Sequence, residues 1–356
     1  MALLKLFRKF RLAALLEASV RGTRGLVSAE ELATSFCGQF SAVGRAYTAF
    51  VRHVGIGRYL IIMNQLKEGW FSELCTLWPG FCLSLEVDKV LHSERSEYQD
   101  ILVLQTKSHG RALILDGIIQ CTEFDEFAYQ EMIAFLPLCS HVSPKKVLIV
   151  GGGDGGVARE VAKHPSVESI VQVEIDPKVL EVSKQFLPFM GQGLSHPKLK
   201  IHIGDGFKFM ADHEEEFDII ITDSSDPVGP AVSLFQQEYF ELMYKALKPD
   251  GIVCSQVGTV WTNIDCLAKT LDHCRNVFET AACATVSVPT YPTGQISFVI
   301  GGRNPVVNFK EPLRIFSNQE LDDLGLRYYS PEAHRTAFVL PRFAQKVLEP
   351  ICTKKE

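Results

Sequence analysis

No C-x-x-C pair occurs among the ten cysteines of this chain, and none of them clusters with histidine at zinc-ligand spacing. A thioredoxin-like redox centre and the common structural zinc modules are thereby excluded. Cys121, Cys139 and Cys254 sit in apolar runs, so reduced core thiols in an intracellular protein are expected. No apolar run approaches the roughly 20 residues of a membrane-spanning helix, so no membrane association is expected. Internal repeats and low-complexity segments are lacking too, which removes solenoids and disordered arrays. Positive charge is scarce in most of the chain. Residues 1–66 hold nine Lys/Arg against three Asp/Glu, whereas the other 290 residues hold 27 against 39. An acidic body of this kind argues against nucleic acid as a partner and suits a cationic one.

What is present reads as a soluble chain with room for two domains, since 46% of its 356 residues are hydrophobic and 22% charged. Residues 1–66 stand apart. Met1 to Leu16 is basic and amphipathic, with Lys5, Arg8, Lys9 and Arg11 and no acid before Glu17. That is the composition of a mitochondrial transit peptide. A poorly ordered basic extension, with the patterned chain beginning near Met63, is the simpler reading, and a cytoplasmic location goes with it. Residues 67–125 read as a small antiparallel β domain. Leu83–Val87 and Ile101–Leu104 alternate, and Arg111–Leu115 meets Ile118-Ile119 across an Asp116-Gly117 hairpin turn. Phe127–Leu138 has helical spacing and is expected to end near Pro137 and Pro144.

From Lys146 onward strands and helices alternate. Strands are predicted at Val147–Val150, Ile170–Val173, Leu199–Ile203, Asp218–Thr222 and Ile252–Gln256, with a helix over Gln237–Leu247. Thr285–Val288 and Ile296–Ile300 form a closing strand pair, and residues 311–356 a helical tail. Residues 126–356 thus make an α/β domain, a Rossmann-like, doubly wound and mainly parallel sheet of the class I methyltransferase kind.

The first βα turn, Gly151-Gly-Gly-Asp-Gly-Gly156, follows a buried strand, opens a helix and precedes Glu174 by about twenty residues, the layout of a nucleotide-binding half-fold. A dinucleotide is a poor fit, because Asp154 would lie beside its pyrophosphate. The carboxylate suits an adenosyl sulfonium compound, which carries a cation and an amine and no phosphate. Ligands in such sheets bind at the carboxyl ends of the strands, and four acids fall there: Asp154, Glu174, Asp205 and Asp223. Glu174 would accept the ribose hydroxyls, Asp205 the adenine amino group, and Asp154 would hold a cationic tail. Asp223 and Asp226, three residues apart after one strand, are expected to raise each other's pKa unless a cation such as a diamine lies between them.

Glu68-Gly-Trp-Phe71, Leu77-Trp-Pro79, Tyr98-Gln-Asp100, Leu115-Asp-Gly117, Tyr129-Gln-Glu131, the glycine turn, Val173-Glu-Ile-Asp176, Gly204-Asp-Gly206, Thr222–Pro230 and Pro289–Gly294 occur in this order. Together they resemble the spermidine synthases, the aminopropyltransferases of polyamine synthesis, and the animal-type enzymes most closely. The likeness covers about residues 67–345. It implies that decarboxylated S-adenosylmethionine is the donor, a co-substrate and not a cofactor, and that putrescine is the acceptor. It implies that Gln99, Gln130, Asp154, Glu174, Asp205 and Gly206 hold the donor. It further implies that Tyr129, Asp223, Asp226 and Tyr291 hold the diamine, with Asp223 as proton acceptor. A homodimer is implied, and no metal. Three other readings compete: a methyltransferase using intact S-adenosylmethionine, a non-catalytic family member acting through partner binding, and a spermine synthase. Asp223 and Tyr129 are both present, which opposes the second. Residues 1–66 do not resemble the larger N-terminal domain of animal spermine enzymes, which opposes the third.

Overall fold

The computed structural model describes residues 67–226 and 229–353. The expectations placed on residues 1–66 lie outside the described residues. Two sheets organise the chain. The first is an antiparallel five-stranded meander of β1 (Trp70–Ser72), β2 (Ser84–Arg95), β3 (Asp100–Thr106), β4 (Arg111–Leu115) and β5 (Ile118–Thr122). The strand β2 is much longer than its alternating start suggests. Register shifts at Val87/Lys89 and Val90/His92 mark bulges, which break the period of two over its second half.

The helix α1 (Glu126–Ser140) leads into the second sheet and is buried along nearly its whole length. It runs through Pro137 and ends at Ser140, between Pro137 and Pro144 as expected, and the Ser140 hydroxyl donates to the Leu136 carbonyl at 2.7 Å. Packing on every side outweighs the one hydrogen bond that a proline removes. Beyond it lie β6 (Lys146–Gly151), α2 (Gly156–Lys163), β7 (Ser169–Glu174), α3 (Pro177–Phe186), α4 (Pro188–Gly191), β8 (Leu199–Ile203), α5 (Gly206–Ala211) and β9 (Phe217–Asp223). The chain continues through α6 (Gln237–Ala246), β10 (Leu247–Gln256), α7 (Ile264–Val277), β11 (Thr280–Ser287) and β12 (Gln295–Gly302), and closes with α8 (Asn318–Asp323), α9 (Pro331–Ala337) and α10 (Arg342–Cys352).

The seven strands run in the order β11-β12-β10-β9-β6-β7-β8, parallel from β10 to β8, with β12 antiparallel to both of its neighbours. Helices cover both faces. Val147 and Ile149 of β6 pack with α1 and α2 in one core, while Leu148 and Val150 pack with α6, α7 and α10 in the other. A strand buried on both sides must be largely apolar at successive positions, which is why β6, the Ile219–Ile221 stretch of β9 and, apart from Gln172, β7 show as Val/Ile/Leu runs. After β6 the chain fills one half of the sheet and then returns with β9 to the other. The reversal sets the carboxyl ends of β6 and β9 side by side, Gly151 opposite Asp223, where an open α/β sheet leaves a crevice. Among the described residues no helix is long and apolar enough to cross a membrane.

Candidate active site

The crevice is built first by glycine. Gly151 has φ +85°, and a Cβ there would lie 2.1 Å from the Asp223 carbonyl oxygen. Only a residue without a side chain lets β9 approach this closely. The Gly152 amide then donates to that same carbonyl at 2.9 Å. Gln172, fully buried in β7, donates its Nε2 to the carbonyls of Gly151 and Gly152 at 2.8 and 2.7 Å. Its role was missed in the sequence, where it is one polar letter inside an apolar strand.

Each acid expected at a strand end is in place. Asp154 Oδ1 accepts the Gly156 amide at 2.7 Å, and Oδ2 accepts Gln130 Nε2 at 3.2 Å. Glu174 is buried, accepts the Asp176 amide at 2.8 Å, and lies so close that a Cβ on Gly153 would come within 2.9 Å of its Oε2. Burial pushes its carboxyl up to about 7 against the pull of that amide. Asp205 caps α5 by accepting the Phe207 amide at 2.8 Å, and Gly206 follows it against the Val150 side chain. Gln99 donates to Asp176 Oδ2 at 2.9 Å, an oxygen that also accepts Ser96 Oγ at 2.6 Å.

Asp223 ends β9. The Tyr129 hydroxyl donates to its Oδ1 at 2.5 Å, while its Oδ2 faces the glycine turn, 3.3 Å from where a Gly152 Cβ would stand. Burial, then the charge of Asp154, holds the Asp223 carboxyl well above the usual range, and the Tyr129 hydrogen bond works the other way. Burial pushes Asp226 up to about 6. The expected mutual repulsion of Asp223 and Asp226 is therefore corrected: desolvation raises both, and the charge that bears on Asp223 comes from Asp154 and Glu174. The Tyr291 hydroxyl donates to the Gln120 carbonyl at 2.6 Å, and its ring meets that of Tyr129 edge-on, with centroids 5.7 Å apart.

Nine of the ten expected site residues line one cavity of about 320 Å³; Gln130 sits behind its wall and touches the site through Asp154. Glu73, also missed, is fully buried near the Asp226 end. Its Oε2 accepts the Ile119 amide at 2.7 Å, and burial pushes its carboxyl up to about 7, with the charge of Asp226 adding. A buried acid just after a three-residue strand carries no signature in sequence alone. Among the described residues lining the cavity there is no Lys, Arg or His. So many carboxyl groups without a resident cation suit cationic ligands.

A second titratable cluster lies outside the cavity. His141, Asp218 and Asp250 converge as metal ligands would. However, His141 Nδ1 accepts the Ser143 amide at 3.0 Å, which leaves the ring proton on Nε2, facing Asp250 at 3.5 Å. Asp218 meanwhile accepts two backbone amides and the Lys248 ammonium.

Known proteins share this architecture. Residues 126–311 match the spermine/spermidine synthase domain family, and residues 69–123 the spermidine synthase tetramerisation domain. The spermidine synthase of Dictyostelium discoideum is 51% identical over 289 residues, covering 80% of this chain and 99% of the relative. That of Schizosaccharomyces pombe is 48% identical over 284 residues, covering 80% and 95%. Among solved structures, spermidine synthase from Thermotoga maritima superposes with a TM-score of 0.72 at 33% identity, over 80% of this chain and 96% of that one. A spermidine synthase in complex with the transition-state analogue AdoDATO gives 0.73 at 33% identity, over 80% and 97%.

Proposed function

The chain belongs to the spermidine synthase family, whose members are aminopropyltransferases, and we propose that it transfers the aminopropyl group of decarboxylated S-adenosylmethionine to putrescine, giving spermidine and 5′-methylthioadenosine. The observation that carries this reading is the cavity lined by Asp154, Glu174, Asp205, Asp223 and Asp226 without a cationic side chain. Glu174 and Asp205 take the adenosine, Asp154 takes the donor's ammonium with Gln130 behind it, and Gln99 and Gly206 complete the donor wall. The diamine lies toward Asp223, Asp226, Tyr129 and Tyr291.

In the reaction the amine lone pair attacks the propyl carbon bound to sulfur. The C–N bond forms, the C–S bond breaks, and its electron pair returns to sulfur as neutral thioether. A free alkylammonium has a pKa of about 10.4, so freeing its lone pair at pH 7 costs roughly 4–5 kcal/mol. The hydroxyl protons of Tyr129 and Tyr291 are already committed to Asp223 and Gln120. Both phenolic oxygens therefore offer lone pairs to an ammonium. Asp223 Oδ2 is left to orient the nitrogen and receive its proton, and a carboxyl raised by burial is a better base than a free aspartate. Holding nitrogen, carbon and sulfur in line supplies a further part of the rate.

Donor choice tests the reading. The intact donor would bring a carboxylate near Asp154 with no positive partner. Two like charges at about 4 Å and an effective dielectric near 20 repel by roughly 4 kcal/mol. The purified chain should therefore convert decarboxylated donor and putrescine to spermidine, detected by mass, and bind the intact donor at least ~1,000-fold more weakly by calorimetry. Comparable affinities with methylputrescine as product would overturn it in favour of a methyltransferase. Self-association is part of the same proposal and is supported by the tetramerisation-domain match; the homodimer that the resemblance implies is the state to be checked by light scattering. A cytoplasmic location is proposed with it, and mitochondrial import of a reporter fused to residues 1–62 would count against that.

A further inference from the structure

Asp125 is the N-cap of α1, the place where an aspartate ordinarily accepts amides of its own first turn. It makes no such bond. Its carboxylate is 3% exposed and is turned toward Thr122 before the helix and the distant Thr290. Oδ1 accepts Thr122 Oγ1 at 2.6 Å and Thr290 Oγ1 at 2.9 Å, and Oδ2 accepts the Thr290 amide at 2.7 Å. Thr290 begins the loop that carries Tyr291. That loop closes on itself, with Val288 N to Gly294 O at 3.0 Å and Gly294 N to Tyr291 O at 2.8 Å. It also holds Thr293 at φ 61°, a left-handed conformation unfavourable for a β-branched residue. A loop under such strain keeps its shape only where its surroundings fix it. Its fixed points are Asp125 on Thr290, the Gln120 carbonyl on the Tyr291 hydroxyl, and Thr259 on Thr293 at 3.1 Å. Two of these come from the segment Gln120–Asp125, and Tyr129 lies one helical turn beyond Asp125.

We propose that Asp125 is a positioning residue for the amine site: by binding Thr290 from the start of α1, it fixes Tyr291 opposite Tyr129. Resting on the reaction proposed above, this gives the forgone helix cap a purpose. The capping interaction, ordinarily about 1 kcal/mol, is exchanged for a link between the two aromatic walls that flank the diamine. Three donors on two carboxylate oxygens offset the cost of burying the charge.

The test compares Asp125→Asn, Thr290→Val and Thr290→Ser. An amide at 125 removes the charge that strengthens all three hydrogen bonds and replaces one acceptor oxygen by an NH2, valine removes one donor at constant shape, and serine keeps it. The first two should raise the putrescine KM at least ~10-fold and leave the donor KM within ~3-fold, while Thr290→Ser stays near wild type. Amide hydrogen exchange over residues 288–294 should quicken in the first two and not in the third. In a Tyr291→Ala background, Asp125→Asn should add little to the KM. A lowered melting temperature with unchanged putrescine KM would make Asp125 an ordinary structural staple and overturn the proposal. Additive effects with Tyr291→Ala, or unchanged exchange over 288–294, would do the same. If Asp125→Asn does not fold, the valine and serine pair carries the comparison. A wild-type enzyme that ignores putrescine would overturn the reaction reading instead, and the exchange measurement would still decide whether Asp125 holds the loop.

Discussion

The two oxygens of Asp223 are in different situations. One accepts the Tyr129 hydroxyl at 2.5 Å, and the other faces the glycine turn. An amide in its place still fills the space but takes up no proton. Asp223→Asn should therefore lower kcat by roughly 10²–10⁴-fold, the contribution of a general base, with a smaller change in the putrescine KM. Asp226 differs in kind. It is raised by burial alone, and its proposed task is to pair with an ammonium in ground and transition states alike. Asp226→Asn should accordingly raise the putrescine KM more than it lowers kcat. Steady-state kinetics on the two variants separate the roles. A kcat of Asp223→Asn within a few-fold of wild type would remove it as the base, and the opposite split between the variants would mean that the two roles are exchanged.

At the level of elements, the site depends on the contact between the turn after β6 and the end of β9. Gly151→Ala places a methyl 2.1 Å from the Asp223 carbonyl in a left-handed backbone. The conformation alone costs about 1–2 kcal/mol, and the contact forces β9 away. We expect a fall in urea midpoint together with a loss of donor binding, whereas Gly294→Ala, also left-handed but with open space around it, should lower stability with donor binding intact. Equal loss of donor binding in both would argue against this contact. The same elements show why parts of the molecule could be read in sequence. The central positions of β6 and β9, and of β7 apart from Gln172, are apolar in succession because both faces are covered, and parallel strands deliver Asp154, Glu174, Asp205 and Asp223 to one edge whatever the details of packing. The second half of β2 was hidden by its bulges. Gln172 and Asp125 were illegible for another reason. Their partners are Gly151 and Thr290, brought together only by the fold, and neither residue type nor spacing encodes that. Nor did spacing indicate that Tyr129 and Tyr291 would face each other.

For the molecule as a whole, the acids of the cavity set the response to pH. Glu73 and Glu174 are pushed up to about 7, mainly by burial, and Asp223 is raised as well. A carboxyl whose folded pKa is raised gives stability that is complete below its unfolded pKa, about 4, and is lost as the pH rises through the folded value. His164 and His334 act in the opposite sense. Burial lowers both to about 4, so the stability they give is present above about 6.5 and is lost as the pH falls toward 4. The two effects oppose each other below pH 6.5, and only the acids titrate above it. Among these groups only the acids change charge above pH 6.5, so the ligand-free protein should lose stability from about pH 6.5 toward pH 8.5. Cationic ligands bind the ionised carboxylates, so decarboxylated donor with putrescine should raise the melting temperature more at pH 8 than at pH 6. Thermal melts across that range, with and without ligands, check both statements. A ligand-free melting temperature that climbs steadily from pH 6.5 to 8.5, or a ligand shift that does not grow with pH, would show that the cavity acids are already ionised and balanced within the protein.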